Sequence, residues 1–309
     1  MKFVIKAIAF LSVALLTGCA SPARSNAGML VYTSFAVPHA LAKAVCGEHA
    51  EIRLLIPPGV EPHHWEPSPK DMVGLASADL IVINGNGMES WSAKVRASLP
   101  QVPFCTLSEG LSVLEAEEAA HEHEDHDDHE HNDSHSHEHD GTDPHMWLYP
   151  LYAAAMADNL RDELIKADPA HEADYRANAA AFRAKAEALD ATYTSALAGA
   201  ESRSIIVSHA AYAYLCAAYG LTQVPVEGLS ADGEPSMPQL VGIIDFIQGN
   251  NITHIFYASV SPSKTLEMLA KDTGTALLPL SPLEIIPAGA DYFSVMEQNL
   301  ESLKEALIK

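Results

Sequence analysis

The 309-residue sequence predicts an α/β protein of two lobes, each a mainly parallel sheet flanked by helices, joined by a long rigid helix. Short apolar runs alternate with helix-like segments in both halves of the chain, and a long segment rich in Ala, Arg, Glu and Lys separates the halves. The chain is also longer than a typical single domain, which favours two lobes over one.

Each half contains four short apolar runs with the length and composition of buried parallel strands. In the first half, strands are predicted at 30–33, 52–56, 80–83 and 102–105, with helices at 40–45, 70–75 and 88–99. In the second half, strands are predicted at 204–207, 223–226, 254–257 and 276–279, with helices at 212–219, 237–249, 262–272 and 292–307.

The segment between the halves has the form of one long helix. Asp168 and Pro169 resemble an N-cap followed by proline at the first helical position, and helix formers continue to Gly199. About thirty helical residues would span roughly 45 Å, which predicts a stiff strut. The predicted divisions are a lipoprotein-type signal peptide (1–18), a flexible tether (19–29), an N-terminal lobe (30–120), a loop (121–141), a connection with a helix (142–168), the linking helix (169–199) and a C-terminal lobe (200–309).

The N-terminus has the pattern of an export signal. Lys2 and Lys6 accompany an apolar stretch at 7–16 that is too short to span a bilayer. Leu16-Thr17-Gly18-Cys19 resembles the bacterial lipobox, in which the cysteine becomes the lipidated first residue of the mature protein. This resemblance predicts a protein of the periplasm or cell surface, attached to the membrane only through a lipid anchor at Cys19.

The net charge of the chain limits the kinds of molecule that it can bind. The chain has 18 Lys+Arg against 41 Asp+Glu and a formal charge of -23, which excludes nucleic acid and favours cationic ligands.

Besides Cys19, the sequence contains Cys46, Cys105 and Cys216. Cys46 and Cys105 could pair in an exported protein, and the alternative is that all three are small buried side chains.

A low-complexity segment at 121–140 contains eight histidines, nine acidic residues and no apolar residue. Because it has no apolar side chains to bury, we predict a disordered loop. Imidazoles bind zinc, copper and nickel, and carboxylates attract cations, so the segment is a candidate auxiliary metal loop that binds several ions weakly. Its histidines are His121, His123, His126, His129, His131, His135, His137 and His139.

Three other histidines lie where rigid elements are predicted to begin or end. His63 follows the second strand, His145 lies just past the acidic loop, and His209 lies between a strand and a helix of the second half. Ligand sites of α/β sheets form at the carboxyl ends of parallel strands, so a shared cleft between the lobes is a consistent arrangement. A lone histidine is more often an ordinary core or surface residue, and His64 is an alternative to His63.

The segments around these histidines resemble, in order and spacing, three motifs of the zinc- and manganese-binding proteins of ABC-type metal importers. They read Pro62-His63-His64-Trp65-Glu66-Pro67, Asp143-Pro144-His145-Met146-Trp147-Leu148 and Ser208-His209-Ala210-Ala211-Tyr212. The resemblance runs from about Leu30 to the C-terminus, and an acidic histidine-rich loop before the second motif is typical of the zinc-specific, ZnuA-like branch.

The resemblance implies a function and a ligand set. His63, His145 and His209 are expected to bind one Zn²⁺ tightly between the lobes, with additional weak ions in the histidine-rich loop. The protein is expected to be a monomer that delivers the ion to the membrane permease of an ABC importer.

One position departs from the family pattern. Relatives carry an acidic residue before a Pro-Leu pair near the C-terminus, whereas this chain reads Leu280-Ser281-Pro282-Leu283. A serine hydroxyl is a poor zinc ligand, so the expected fourth ligand is water or a nearby carboxylate such as Glu61, and loss of an oxygen ligand favours zinc over manganese. Asp143 and Glu66 are candidates for hydrogen bonds that support the ligands.

The sequence leaves three alternative functions open. The site could bind manganese or another divalent ion. Three histidines and a water also describe a hydrolytic zinc centre, although the chain lacks HExxH and has no clearly placed general base. The protein could also be an adhesin or a passive metal buffer.

Overall fold

The strands of the computed structural model form two parallel sheets within the residues described, which are 28–115, 141–228, 235–258 and 261–308. The first sheet contains β1 (Met29–Thr33), β2 (Ala50–Leu54), β3 (Leu80–Ile83) and β4 (Phe104–Thr106). The second contains β5 (Ser204–Val207), β6 (Thr222–Pro225), β7 (His254–Tyr257) and β8 (Ala276–Pro279). The strand orders are β2-β1-β3-β4 and β6-β5-β7-β8, so both sheets have the same topology. The predicted fold class is confirmed.

Helices connect the strands within each sheet, and two further helices lie in the sequence between the first sheet and the second. The first sheet has α1 (Ala36–Cys46), α2 (Pro69–Leu75) and α3 (Ser92–Ser98). They are followed by α4 (Pro150–Ala167), α5 (Glu172–Leu197), α6 (Ala213–Tyr219), α7 (Met237–Gly249), α8 (Lys264–Thr273) and α9 (Tyr292–Leu307). Among the residues described, none of these helices combines the length and apolar character needed to cross a membrane.

The long helix predicted between the halves is α5, which has 26 residues and a length of about 39 Å. It begins at Glu172 because Pro169–His171 forms a separate 3-10 turn after α4. Its buried residues recur every three or four positions, and the helix contacts α1, α4 and α9. The helix is therefore stiffened by packing along one face as well as by its own hydrogen bonds.

The third helix is shorter than predicted, because α3 begins at Ser92 rather than at residue 88. The buried Glu89 carboxylate accepts hydrogen bonds from the backbone N–H groups of Asn84 and Gly85, both at 2.9 Å. Gly85 and Gly87 have φ angles of 83° and 82°, which a helix cannot include. These features hold the segment before α3 in turns.

The residues that flank the histidine-rich segment, at 115 and 142, lie next to each other. Glu115 and Thr142 form an isolated antiparallel bridge, and the Asp143 N–H donates to the Leu114 carbonyl at 3.0 Å. The Leu114 N–H in turn donates to the Tyr214 hydroxyl at 2.9 Å. The residues on either side of this segment are therefore joined to each other and to α6.

Cys46 and Cys105, which could have paired because both lie in the first half of the chain, do not form a disulfide. Both side chains are buried, and Cys216 is buried as well. Burial raises the pKa of the Cys46 thiol to about 12, so this group is a neutral, apolar part of the core.

The helices that follow the second strand of each sheet, α2 and α7, begin in the same way. Ser68 and Ser236 each accept a hydrogen bond from the backbone N–H three residues later and form a capping box. A proline lies in the first two positions of both helices. The serine and proline fix both starts within a residue of the predicted positions.

We expect the Ser68→Ala variant to lower the free energy of unfolding by about 1 kcal/mol, because an N-cap hydroxyl of α2 is lost. Urea denaturation of the metal-free protein measures the change. Ser98→Ala is the matched control, since the Ser98 hydroxyl donates to the Lys94 carbonyl within α3 and caps no helix start. Equal losses in the two variants would contradict the assigned role of Ser68.

Candidate metal centre

Three histidines from distant parts of the chain meet in one cluster. His63 lies in the loop between β2 and α2, His209 lies two residues after β5, and His145 directly precedes a 3-10 turn at Met146–Leu148. His145 and His209 are buried, and 9% of the His63 side chain is exposed. The structure therefore brings together the three histidines singled out by their sequence motifs.

The fourth member of the cluster is Glu284, in the loop after β8. Its Oε1 lies 3.0 Å from His145 Nε2, 3.2 Å from His63 Nε2 and 3.6 Å from His209 Nε2. The Nε2 atoms of His209 and His145 are 3.4 Å apart. One ligand atom from each residue lies within 4.8 Å of the other three.

The dimensions of this cluster fit a zinc ion. Zinc binds imidazole nitrogens and carboxylate oxygens at roughly 2.0–2.2 Å, usually as a tetrahedron with edges of about 3.3–3.6 Å. Four of the six separations between the ligand atoms run from 3.0 to 3.6 Å, and all six are within 4.8 Å. Three imidazoles and one carboxylate can therefore surround Zn²⁺ with only small adjustments.

Asp143 orients the imidazole of His145. Its Oδ1 accepts hydrogen bonds from the His145 backbone N–H at 2.8 Å and from Nδ1–H at 2.7 Å. The bond to Nδ1 directs Nε2 toward Glu284 and the other histidines. Asp143 thus makes the contact that its candidate supporting role requires.

Glu61 lies outside the cluster of four ligand atoms, in which Glu284 supplies the carboxylate oxygen. Its carboxylate oxygens accept the backbone N–H groups of His63 at 2.9 Å and His64 at 3.1 Å. Glu61 Oε1 is 3.9 Å from His63 Nε2, because the carboxylate is engaged in holding the loop. Because Glu284 adds an oxygen to the cluster, a missing oxygen ligand does not distinguish zinc from manganese here.

Sequence reasoning misses Glu284 because the family pattern places the acidic residue before Pro282-Leu283, whereas here it follows them. Leu283 is fully buried and has a φ of 61°, in the left-handed region that residues with a side chain seldom adopt. The backbone turn at Leu283 places the following carboxylate among the histidines. An acidic residue directly after the motif is the signal that could have identified it.

The loop that carries Glu284 is fixed by buried side chains. Asn299 of α9 donates to the Ser281 carbonyl and accepts from the Ser281 N–H, both at 2.7 Å. The Trp147 indole N–H donates to the Pro282 carbonyl at 2.7 Å. Ser281, which occupies the family's ligand position in the sequence, is therefore part of the support for the glutamate that follows.

Two neighbours of His63 lie away from the cluster. His64 is exposed, so His63 is the member of the pair that faces the other histidines. Glu66 is also exposed, and its Oε1 contacts Lys94 Nζ at 3.2 Å. Glu66 therefore faces solvent, and its carboxylate contacts a lysine rather than a member of the cluster.

Burial and charge act in opposite directions on the ionisable groups of the cluster. Desolvation opposes protonation of His145, but Asp143 and Glu284 outweigh it and raise the pKa of His145 to about 9. At His209 desolvation dominates and lowers the pKa to about 4. Glu284 is desolvated too, yet His209, His145 and His63 hold the pKa of its carboxyl well below the usual range. Without metal at neutral pH, His145 carries a proton that a bound cation must displace.

Several predicted functional residues lie outside the residues that the structure describes. Cys19 falls within 1–27, and the eight histidines of the auxiliary loop fall within 116–140. The lipid anchor and the weak metal sites of the loop therefore stay predictions.

Among the known proteins with similar sequences are two that are named as zinc proteins. The family profile described as "Zinc-uptake complex component A periplasmic" (ZnuA) matches residues 31–306. The chain is 35% identical over 285 residues to the high-affinity zinc uptake system protein ZnuA of Bacillus subtilis, which covers 90% of this chain and 87% of that protein. It is 33% identical over 310 residues to the zinc-binding lipoprotein AdcA of Streptococcus pneumoniae, covering 99% of this chain but 61% of AdcA.

Solved structures show the same fold at a similar level of identity. The Zn(II)-bound ZnuA-like domain of Streptococcus pneumoniae AdcA aligns with a TM-score of 0.77 and 30% identity, covering 91% of this chain and 100% of that one. A mutant of the laminin-binding adhesin Lmb from Streptococcus agalactiae aligns with a TM-score of 0.80 and 32% identity, covering 91% and 100%. The matched profile describes a component of an uptake complex and not an enzyme. With its profile match over residues 31–306, the chain belongs to the ZnuA family.

Proposed function

We propose that the chain is an extracytoplasmic zinc-binding protein that captures Zn²⁺ between its two halves and delivers it to the membrane permease of an ABC importer. The observation that carries the proposal is the cluster of His63, His145, His209 and Glu284, whose ligand atoms have the spacing of a tetrahedral zinc site. Two relatives, one named a zinc uptake protein and one a zinc-binding lipoprotein, support zinc as the cargo.

Capture replaces the water around the ion with four protein ligands. The Nε2 atom of His145 must first lose its proton, and the ionised Glu284 offsets part of the charge of the ion. Within the cluster, His63 and Glu284 have the largest exposure, with 9% and 12% of their side chains accessible. We infer that the ion enters and leaves past these two residues, and that release begins with their displacement.

The donor set supports zinc over manganese and transport over hydrolysis. Manganese prefers oxygen ligands, whereas three of the four donors are imidazole nitrogens. A hydrolytic zinc centre keeps one position open for water, but four protein groups converge here. Four protein ligands leave no coordination position for a reacting water, which suits binding and release of an ion better than hydrolysis.

We infer that the protein is exported and held at the membrane by a lipid on Cys19. The lipobox-like Leu16-Thr17-Gly18-Cys19 supports the anchor, and the relative AdcA is named a lipoprotein. A single chain supplies all four members of the cluster, which is consistent with the proposed monomer.

The histidine-rich loop is proposed as an auxiliary collector of weakly bound ions. We expect a chain lacking residues 120–140 to retain one tight zinc site with an affinity within about threefold of wild type, because the bridge between Glu115 and Thr142 holds the ends of the loop together. The number of weakly bound ions should fall. Equilibrium dialysis followed by metal analysis measures both classes of site, and loss of tight binding would identify the loop as the main site.

Uptake of radiolabelled zinc tests the proposed function in cells from which the gene has been deleted. We expect the wild-type gene to restore uptake and His209→Ala to fail, while the matched control His64→Ala restores it, because His64 lies outside the cluster. Unchanged uptake after gene deletion in zinc-limited medium would favour an adhesin or a passive zinc buffer and would overturn the import proposal.

A further inference from the structure

We propose that Asn84 is a positioning residue of the zinc site, which holds the peptide before His145 and is itself held by the buried carboxylate of Glu89. This inference rests on the proposed function, because it concerns how the same cluster is kept in place. It adds two residues that lie outside the three histidine motifs of the sequence.

Asn84 directly follows β3 and is completely buried. Its Nδ2 donates to the Pro144 carbonyl at 3.0 Å and to the Gly85 carbonyl at 2.9 Å. Pro144 immediately precedes His145, and its carbonyl also accepts the Met146 N–H at 2.9 Å. The Asn84 amide therefore ties the end of a strand of the first sheet to the peptide that carries the most deeply enclosed ligand.

Glu89 fixes Asn84 from the opposite side. This carboxylate is 4% exposed, and its Oε1 accepts from the Ser34 hydroxyl at 2.6 Å and the Asn84 N–H at 2.9 Å. Its Oε2 accepts from the Gly85 N–H at 2.9 Å. A buried carboxylate is unfavourable unless hydrogen bonds compensate it, and these three donors follow the carboxyl ends of β1 and β3. Glu89 thus joins the ends of two neighbouring strands around Asn84.

A second asparagine acts on the adjacent peptide. Asn86 Nδ2 donates to the Asp143 carbonyl at 2.6 Å, and the Tyr214 hydroxyl donates to the same carbonyl at 3.0 Å. Asn84 and Asn86 therefore hold the two successive carbonyls that precede His145. The carboxylate of Asp143 in turn orients the His145 ring, so the two asparagines fix the backbone and Asp143 fixes the side chain.

The effect of this network on binding follows from the geometry of the site. Because His145 is fully buried between rigid elements, the position of its Nε2 depends on the position of its backbone. Loss of a supporting hydrogen bond near a metal ligand typically lowers metal affinity about 10- to 100-fold. The same loss would change the coordination geometry, which Co²⁺ reports through its visible spectrum.

The test compares Asn84→Ala with Asn159→Ala in the full chain, using Zn²⁺ and Co²⁺ as probes. Asn159 is a matched control, because its Nδ2 also donates to two main-chain carbonyls, those of Leu107 and Glu109, at 2.8 and 2.9 Å. We expect Asn84→Ala to lower zinc affinity about 10- to 100-fold and to alter the visible spectrum of the Co²⁺ form. Asn159→Ala should leave both unchanged.

A second variant, Asn86→Gly, tests the same network if Asn84→Ala fails to fold. Asn86 has a φ of 52°, which glycine adopts without strain, so this variant removes the bond to Asp143 without disturbing the backbone. It should lower zinc affinity several-fold and shift the Co²⁺ spectrum in the same direction.

The outcomes separate this inference from the proposed function. Wild-type affinity and spectrum in both Asn84→Ala and Asn86→Gly would overturn the positioning role, as would equal changes in Asn159→Ala. If the wild-type chain itself bound zinc no more tightly than His145→Ala, the proposed function would fail instead.

Discussion

The His145→Ala variant is expected to lose tight zinc binding. The fall in affinity should exceed the approximately 10- to 100-fold typical for an outer-shell partner, because a direct ligand is removed. His145 Nε2 lies 3.0 Å from Glu284 Oε1 and 3.4 Å from His209 Nε2, so its loss opens a gap in the centre of the cluster. The substitution also leaves the buried Asp143 carboxylate without the Nδ1–H that it now accepts.

Competition with a chelator of known zinc affinity measures this loss. His64→Ala is the matched control, because it removes an exposed imidazole from the same part of the protein. Circular dichroism and urea unfolding of the metal-free variants establish that both are folded. Equal affinities for His145→Ala and wild type would remove the cluster as the tight site.

Zinc affinity is expected to fall about a thousand-fold between pH 8 and pH 5. In the metal-free protein the pKa of His145 is raised to about 9, so below that pH its Nε2 carries a proton that zinc must displace. Each further unit of falling pH then weakens binding about tenfold. His209, with its pKa lowered to about 4, stays neutral over this range, and Glu284 stays ionised.

Calorimetry in buffers with different ionisation enthalpies counts the protons released. We expect about one proton per zinc ion from His145 near pH 7.5 and a smaller number above pH 9. Asp143→Asn should move this pH dependence to lower pH, since it removes one of the two carboxylates that raise the pKa of His145. An affinity that is constant from pH 6 to pH 8 would contradict the protonated state of His145.

The fold could be predicted because its main signals are local. Buried parallel strands read as continuous apolar runs, and β3, β5, β7 and β8 have the predicted bounds. The start of α3 could not be predicted in the same way. It depends on hydrogen bonds that Glu89 makes to Asn84 and Gly85, and local helix propensity carries no information about those contacts.

The metal cluster could be predicted only in part, for a related reason. Each histidine lies in a recognisable motif, so its type and approximate place follow from the sequence. Glu284 enters the cluster through the left-handed turn at Leu283, which Asn299 and Trp147 support from elsewhere in the chain. The acidic residue after Pro282-Leu283 is visible in the sequence, but the backbone angle that brings it to the histidines depends on contacts from distant parts of the chain.

The bridge between Glu115 and Thr142 affects how the segment between these two residues can change in length. The entropic cost of closing a loop rises slowly with its length, by about 0.6 kcal/mol for each doubling of the loop. Because Glu115 and Thr142 pair with each other, we expect insertions or deletions between them to leave the strands and helices in place.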